Sequence, residues 1–392
     1  MFELVFLAAS LSSSFPGGNT GAVEWVSETH VRVALEGQSD QDGRNRQASW
    51  YYFRLDDVQG VELKITLTDL LGEYNYQKGT HPVRATTFPV YSYDQQTWTH
   101  VDRTDWDEEA VELTVKLRPE KDVVWIAHTP PYTFSRLQEF ASEIADHPHL
   151  RRESVGETVE GRPMPLWTIE DPSTSGEKPV VWLMFRQHAW ESATSWACEG
   201  GVRWLLGDSA EAKALRRNII WKIFPLADPD GADLGGVRFN RHGYDLNRNW
   251  DTLDKEKMPE IYSQHAAISK WIEAGNRIDF FLTVHNTETN EYIEGPAEYR
   301  TTIARFREAM TRESNFQETR PAPLDMKQST TQGLAGRKAV NQGLYSDFGI
   351  MSMLMETRIG HHPELNRWRT VSDWQALGEG LIRAAAETVL DD

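Results

Sequence analysis

Pro179-Val180-Val181-Trp182-Leu183-Met184-Phe185, followed at once by Arg186-Gln187-His188-Ala189-Trp190-Glu191, is an apolar run that stops abruptly at an ionisable end. An unbroken apolar run of this length, with no alternation, suits a strand buried on both faces of a sheet. Three more runs have the same form: 219–226, 278–285 and 349–356. Amphipathic helical stretches fit between and after them, at 192–206, 258–274, 301–313 and 374–390. Strand and helix in alternation predict an α/β fold, a mixed and mostly parallel sheet flanked by helices. At the carboxyl ends of these strands stand His188, Asp228 and Asp230, His285 and Glu356. Open α/β sheets place their active sites along that edge.

Working outward, Pro130-Pro131 marks a change of pattern. Just after it, Phe134, Leu137, Phe140, Ala141 and Ile144 share one helical face. Before it, His30–Leu35, Val61–Leu67 and Val111–Leu117 alternate apolar and polar residues, as half-buried antiparallel strands do, and Trp50–Phe53 adds an aromatic strand. Stretches rich in Gly, Asn and Asp at 15–21 and 39–44 supply turns. An antiparallel β-sandwich of roughly 120 residues is the economical assembly. Two domains are therefore expected, 1–130 and 131–392. The apolar start, Leu4–Ala9, is preceded by Glu3 and by no Lys or Arg, which favours a first strand over a secretory signal.

Composition narrows the function classes. The 392 residues carry 59 acids against 41 Lys and Arg, a formal charge of −18, with no basic run. Such a field repels phosphate backbones and anionic membranes, so neither nucleic acid nor membrane is an expected partner. Cys198 is the single cysteine, so no intrachain disulfide can form, which suits a reducing, cytoplasmic setting. No stretch approaches the roughly 20 apolar residues needed to cross a bilayer, and a soluble protein is expected.

His188 and Glu191 have the i, i+3 spacing that puts both side chains on one side of a helical first turn, and a distant His285 can close a site with them. Two His and one Glu with an open fourth position form a catalytic zinc set. Singly, each His also suits a hydrogen-bonded core position, and Glu191 a favourable charge near a helix N-terminus. The next segment is more specific: Ala227-Asp228-Pro229-Asp230-Gly231, then Arg238-Phe239-Asn240-Arg241, then Asp245-Leu246-Asn247-Arg248-Asn249-Trp250. Asp228–Asp233 differs from a calcium loop, since its Gly comes early and Phe239 stands at the closing position, so a tight turn is expected there. His361-His362-Pro363-Glu364 is a further cluster of possible ligands, in an expected loop.

The order HxxE, PDG, an Arg, DLNRNW, a strand ending in His and a strand ending in Glu resembles the zinc carboxypeptidases, above all their cytosolic branch. The first domain is similar to the β-sandwich that precedes the catalytic domain in that branch, through Phe15–Asn19, Trp50–Arg54, Tyr91–Asp94 and His128–Leu137. The resemblance implies one zinc ion held by His188, Glu191 and His285. It implies that Glu356 takes a proton from the attacking water and passes it to the leaving amine. Arg238 matches the arginine that stabilises the oxyanion. Asn247 and Arg248 match the pair that grips the terminal carboxylate of a peptide or protein tail, which a planar guanidinium can do with two hydrogen bonds. Many members of this branch remove glutamate from acidic tails, and Arg337 lies near the family's Gly-Arg position in the side-chain pocket. Two departures stand out. Ala189-Trp190 occupies the place of a usual Pro-Gly, and the interval from Arg337 to Glu356 is longer by about one helical turn, ~3.6 residues.

Two other functions share these residues. An N-acyl amino acid amidohydrolase of the aspartoacylase type has HxxE, a later His and a DLNR-like element, but carries its extra β domain after the catalytic one. A catalytically silent binding protein would use the same cleft, yet both Glu356 and Arg238 are present here.

Overall fold

The computed structural model describes residues 9–319 and 334–390. The apolar start expected as a first strand falls almost entirely outside the described residues. Contacts divide the chain into two compact units. The first ends at Pro131 but also takes in Leu234–Val237; the second comprises Tyr132–Asp233 and the chain from Arg238 onward.

The first unit has two five-stranded sheets. One orders Ser10–Ser12, Tyr52–Asp56, Val124–Ala127, Val90–Ser92 and Thr99–His100. The other orders Thr104–Asp107, Glu112–Leu117, Leu63–Thr68, His30–Ala34 and Val23–Ser27. Alternate residues of both sheets, among them Val31, Ile65 and Val115 from one and Phe53, Leu55 and Ile126 from the other, form a common buried core. This is the sandwich that the alternation predicts. One pairing departs from the antiparallel rule: His30–Ala34 runs parallel to Leu63–Thr68. The chain between them visits the other sheet as Tyr52–Asp56, and a return by crossover brings the next strand in parallel. Gly235, from the middle of the chain, belongs to this unit: its carbonyl accepts from Asn19 Nδ2 at 2.7 Å. A Cβ at Gly235 would lie 2.2 Å from the Gly18 carbonyl oxygen, and its φ is +67°, so only glycine fits there.

The second unit is built on a seven-stranded sheet. Its strands are β1 (Leu150–Glu157), β2 (Pro163–Ile169), β3 (Val180–Phe185), β4 (Ile220–Phe224), β5 (Phe280–Thr287), β6 (Tyr292–Glu294) and β7 (Ser352–Arg358). They lie in the order β1-β2-β4-β3-β5-β7-β6. The inner four are parallel, whereas β1, β2 and β6 pair antiparallel at the margins. β3 is buried along its whole length, as its unbroken apolar run requires. Trp182 and Met184 of β3 and Phe281 of β5 pack on Ile261 and Ile268 of the helix Pro259–Glu273 and on Leu344 of the helix Val340–Phe348.

Chain order reverses at β3. Its successor β4 lies on one side, and β5 and β7 on the other. The carboxyl ends of β3 and β5 therefore flank a switch point, where the connections diverge and leave a crevice. The turn expected after β4 is instead one short helix, Pro229–Asp233. Asp230 in it is fully buried, and it accepts from Thr158 Oγ1, Glu160 N and Arg162 Nη1 at 2.7, 2.9 and 2.8 Å. Its carboxylate is a structural tie, as a loop carrying calcium would not be.

Candidate metal centre and active site

Leaving β3, the chain turns through Arg186, a non-glycine residue at φ +61°. This left-handed conformation is unfavourable for a side chain with a Cβ, and the surroundings hold it. The buried Arg186 guanidinium donates from Nε to the Ala189 carbonyl at 2.7 Å and from Nη1 to Ser195 Oγ at 3.1 Å and the Tyr132 carbonyl at 3.3 Å. The arginine thus pins the turn that carries His188 and Glu191. Glu191 is the residue before the helix Ser192–Leu205, but its carboxylate makes no capping bond to that helix. It faces the two histidines instead.

His188 Nδ1 lies 2.8 Å from Glu191 Oε1, and His285 Nδ1 lies 2.8 Å from Glu191 Oε2. His285 comes from β5, in register with Glu356 of β7. The three side chains are buried and offer ligand atoms within 4.8 Å of one another. Among the described residues they are the one such group.

The chemistry of these donors fits a cation. His188 Nε2 lies 3.0 Å from Asp245 Oδ1, an acceptor, so that nitrogen carries a hydrogen. In the neutral ring Nδ1 then presents a lone pair to the Glu191 carboxylate. Two acceptors 2.8 Å apart call for a positive charge between them, which a proton on the ring or a bound metal ion would supply. Burial pushes the Glu191 carboxyl up, but the charges of His188 and His285 and their hydrogen bonds outweigh it and hold the group ionised. Asp245 behaves alike: burial opposes its charge, while Arg238, His188 and Arg248 hold it well below the usual carboxylate range. A carboxylate behind a ligating imidazole orients the ring and raises its basicity.

The remaining expected residues lie around this group. Arg238 is 9% exposed and donates from Nε to Asp245 Oδ2 at 2.7 Å. Asn247 Oδ1 accepts from Val340 N at 2.9 Å, and its Nδ2 lies 3.2 Å from His285 Nε2. The buried Arg248 donates from Nη1 to the Asn247 carbonyl at 2.6 Å. Glu356 is half-buried, but its Oε2 is closed to solvent and has no hydrogen-bond partner. Burial first, then the charges of Glu191 and Glu294, push its carboxyl well above the usual value against the pull of Arg238 and Arg248. Arg337 is not in the three-residue group. Its neighbours Gly336 and Lys338 donate their N–H groups to the Asp251 carboxylate at 3.0 and 3.1 Å, which lays the segment along the end of the DLNRNW stretch.

His361-His362 plays no part in this site. His362 is buried and lies 2.8 Å through Nε2 from the Asn315 carbonyl, beside the Glu291–Arg369 ion pair. Reading the sequence missed two residues that contact the candidate ligands, Asp245 and Gln187. Asp245 was within reach, as the first letter of DLNRNW; Gln187 carries no spacing signal at all.

Known proteins match in the same places. The sequence profile of the family described as zinc carboxypeptidase fits residues 137–345. The chain belongs to the zinc carboxypeptidase family. A second profile, the cytosolic carboxypeptidase N-terminal domain, fits residues 11–128. The chain is 26% identical over 299 residues to cytosolic carboxypeptidase 3 of Bos taurus, covering 71% of this chain but spanning 29% of that protein. An uncharacterised protein of Zymomonas mobilis is 24% identical over 378 residues, covering 92% of this chain and 93% of its own. A solved metallo-carboxypeptidase from Burkholderia cenocepacia superposes with a TM-score of 0.82 at 26% identity, over 98% of this chain and all of that one.

Family membership supports a zinc-dependent hydrolase. Among the described residues no helix is long and apolar enough to cross a membrane.

Proposed function

We propose that the protein removes single residues from the C-termini of peptides or protein tails, using one zinc ion held by His188, Glu191 and His285. What carries this reading is the pairing of His285 with Glu356 on adjacent parallel strands, which sets a carboxyl with an unpartnered oxygen beside a three-residue metal group. Bound there, zinc polarises the scissile carbonyl and lowers the pKa of water. Glu356 takes the proton of the attacking water and delivers it to the departing amine, a task suited to a carboxyl whose affinity for protons burial has raised. Arg238, fixed by Asp245, stabilises the oxyanion. Arg248 and Asn247 hold the terminal carboxylate, which restricts cleavage to chain ends.

Residues 131–392 carry this chemistry, and 1–130 form a β-sandwich without a catalytic role. The cytosolic names of relatives and the lone buried cysteine support a cytoplasmic setting. A preference for C-terminal glutamate follows if Arg337 reaches the side-chain pocket. It is partly exposed, and its neighbours are tied to the loop that carries Asn247 and Arg248.

The test is digestion of a mixed peptide library, with Glu-tailed and C-terminally amidated members, followed by mass spectrometry before and after chelation. Zinc-dependent loss of single C-terminal residues from free-acid peptides alone is expected, with Glu-tailed members cut fastest. Cleavage that survives chelation, or that ignores amidation, would overturn the reading.

A further inference from the structure

Gln187 sits between the metal ligands and the sheet, fully buried, with every polar atom engaged. Its Nε2 donates to the Leu246 carbonyl at 2.7 Å, which fixes the amide so that Oε1 is the atom facing β5. Oε1 accepts from Thr283 Oγ1 at 2.7 Å and lies 3.1 Å from His285 Nε2.

His285 Nε2 has a rival neighbour. Asn247 Nδ2 lies 3.2 Å away, and the Asn247 amide is equally fixed, because its Oδ1 accepts from Val340 N. One neighbour of Nε2 is therefore an acceptor and the other a donor. They favour opposite tautomers of the same ring. If Nε2 carries the hydrogen, it donates to Gln187, and Nδ1 is left with a lone pair for a metal. If Nε2 is bare, it accepts from Asn247, and the hydrogen on Nδ1 points at Glu191 Oε2, 2.8 Å off, where it blocks the metal. Thr283 Oγ1, 3.1 Å from Nε2, gives its one hydrogen to Gln187 Oε1, so towards Nε2 it can only accept, which favours the same tautomer as Gln187.

We propose that Gln187 is a positioning residue that selects the metal-binding tautomer of His285, as Asp245 does for His188, and that it leaves the Asn247 amide available to substrate. This rests on the metal site proposed above. A ligating histidine commonly donates its other N–H to a carboxylate or carbonyl, and loss of such a partner costs about 10- to 100-fold in metal affinity.

The test is zinc affinity, measured by competition with a chromogenic chelator, for wild type, Gln187→Leu, Gln187→Glu and Asn247→Ala, each checked for folding by circular dichroism. Gln187→Leu is expected to weaken zinc by about 10- to 100-fold. Gln187→Glu keeps an acceptor and should bind at least as tightly as wild type, and Asn247→Ala, which removes the rival donor, should not weaken zinc. A packing role would make Leu and Glu equally harmful, and that result overturns the proposal, as does unchanged affinity in Gln187→Leu. If Gln187→Leu does not fold, Gln187→Glu and Asn247→Ala decide: weaker binding in either refutes tautomer selection, and undiminished binding in both supports it. Failure of wild type to bind zinc would instead remove the metal site itself.

Discussion

Asp245 joins His188 to Arg238, with Oδ1 3.0 Å from the imidazole Nε2 and Oδ2 2.7 Å from the guanidinium Nε. One carboxylate therefore orients a proposed metal ligand and the arginine proposed for the oxyanion. Its Oδ1 also accepts from Asn247 N at 2.9 Å, so the residue proposed for the terminal carboxylate is tied to the same group.

Replacing Asp245 with Asn keeps the shape but removes the charge that Arg238 and His188 share. Zinc affinity should fall by about 10- to 100-fold, and turnover should stay reduced even at saturating zinc because Arg238 loses its anchor. Chelator competition together with kcat at high zinc separates the two effects. Full recovery of kcat on adding zinc would show that Asp245 serves the metal alone.

Glu356→Gln should retain zinc and lose most turnover, by about 10²- to 10⁴-fold, the usual worth of general acid–base catalysis. Metal content by atomic emission beside peptide hydrolysis checks it. Loss of zinc in this variant would make Glu356 a ligand.

Arg248→Ala should raise KM for peptides with a free terminal carboxylate, since a charge-assisted hydrogen bond is worth about 1.5–3 kcal/mol, or roughly 10- to 150-fold. An amidated inhibitor should bind wild type and variant alike. Equal weakening of both by calorimetry would exclude carboxylate recognition.

Asp228, outside the three-residue group, offers a pH test. Burial, then the charge of Glu260, pushes its carboxyl up to about 8, against the hydrogen bond from Gly231 N. Its Oδ2 is buried without a partner. The folded protein thus holds a proton that the unfolded chain releases near pH 3.8. Stability from this group is complete below that value and is lost as pH rises towards 8, by at most about 1.4 kcal/mol per pH unit. Asp228→Asn needs no proton, so its melting temperature should gain on wild type steadily between pH 5 and 8. Parallel melting curves across that range would show that Asp228 is ionised in the fold.

Much of this was legible because physics leaves few options for its carriers. Four largely apolar runs of strand length suit strands covered on both faces, and they became β3, β4, β5 and β7 with ends shifted by up to three residues. The marginal strands were not legible. β1, Leu-Arg-Arg-Glu-Ser-Val-Gly-Glu, is largely exposed at the sheet edge and has no apolar period to detect. The helix Val340–Phe348 was hidden by Gly343, a poor helix former. That glycine is required by packing, since a Cβ there would lie 2.6 Å from Trp250 Cβ. The three residues that the structure groups, His188, Glu191 and His285, were readable from residue type, spacing and family resemblance together. Their supports, Asp245 and Gln187, act through contacts 57 and 98 residues away along the chain, which no local pattern encodes.

Leu234–Val237 belongs to the first unit although it lies deep within the second half's sequence, directly before Arg238. A gene fragment ending at residue 130 would encode a sandwich missing one of its own pieces. A fragment starting at 131 would carry four residues deprived of their own unit directly before Arg238. The two modules are interleaved along the chain, so a cut at their apparent boundary takes from the first a piece of itself.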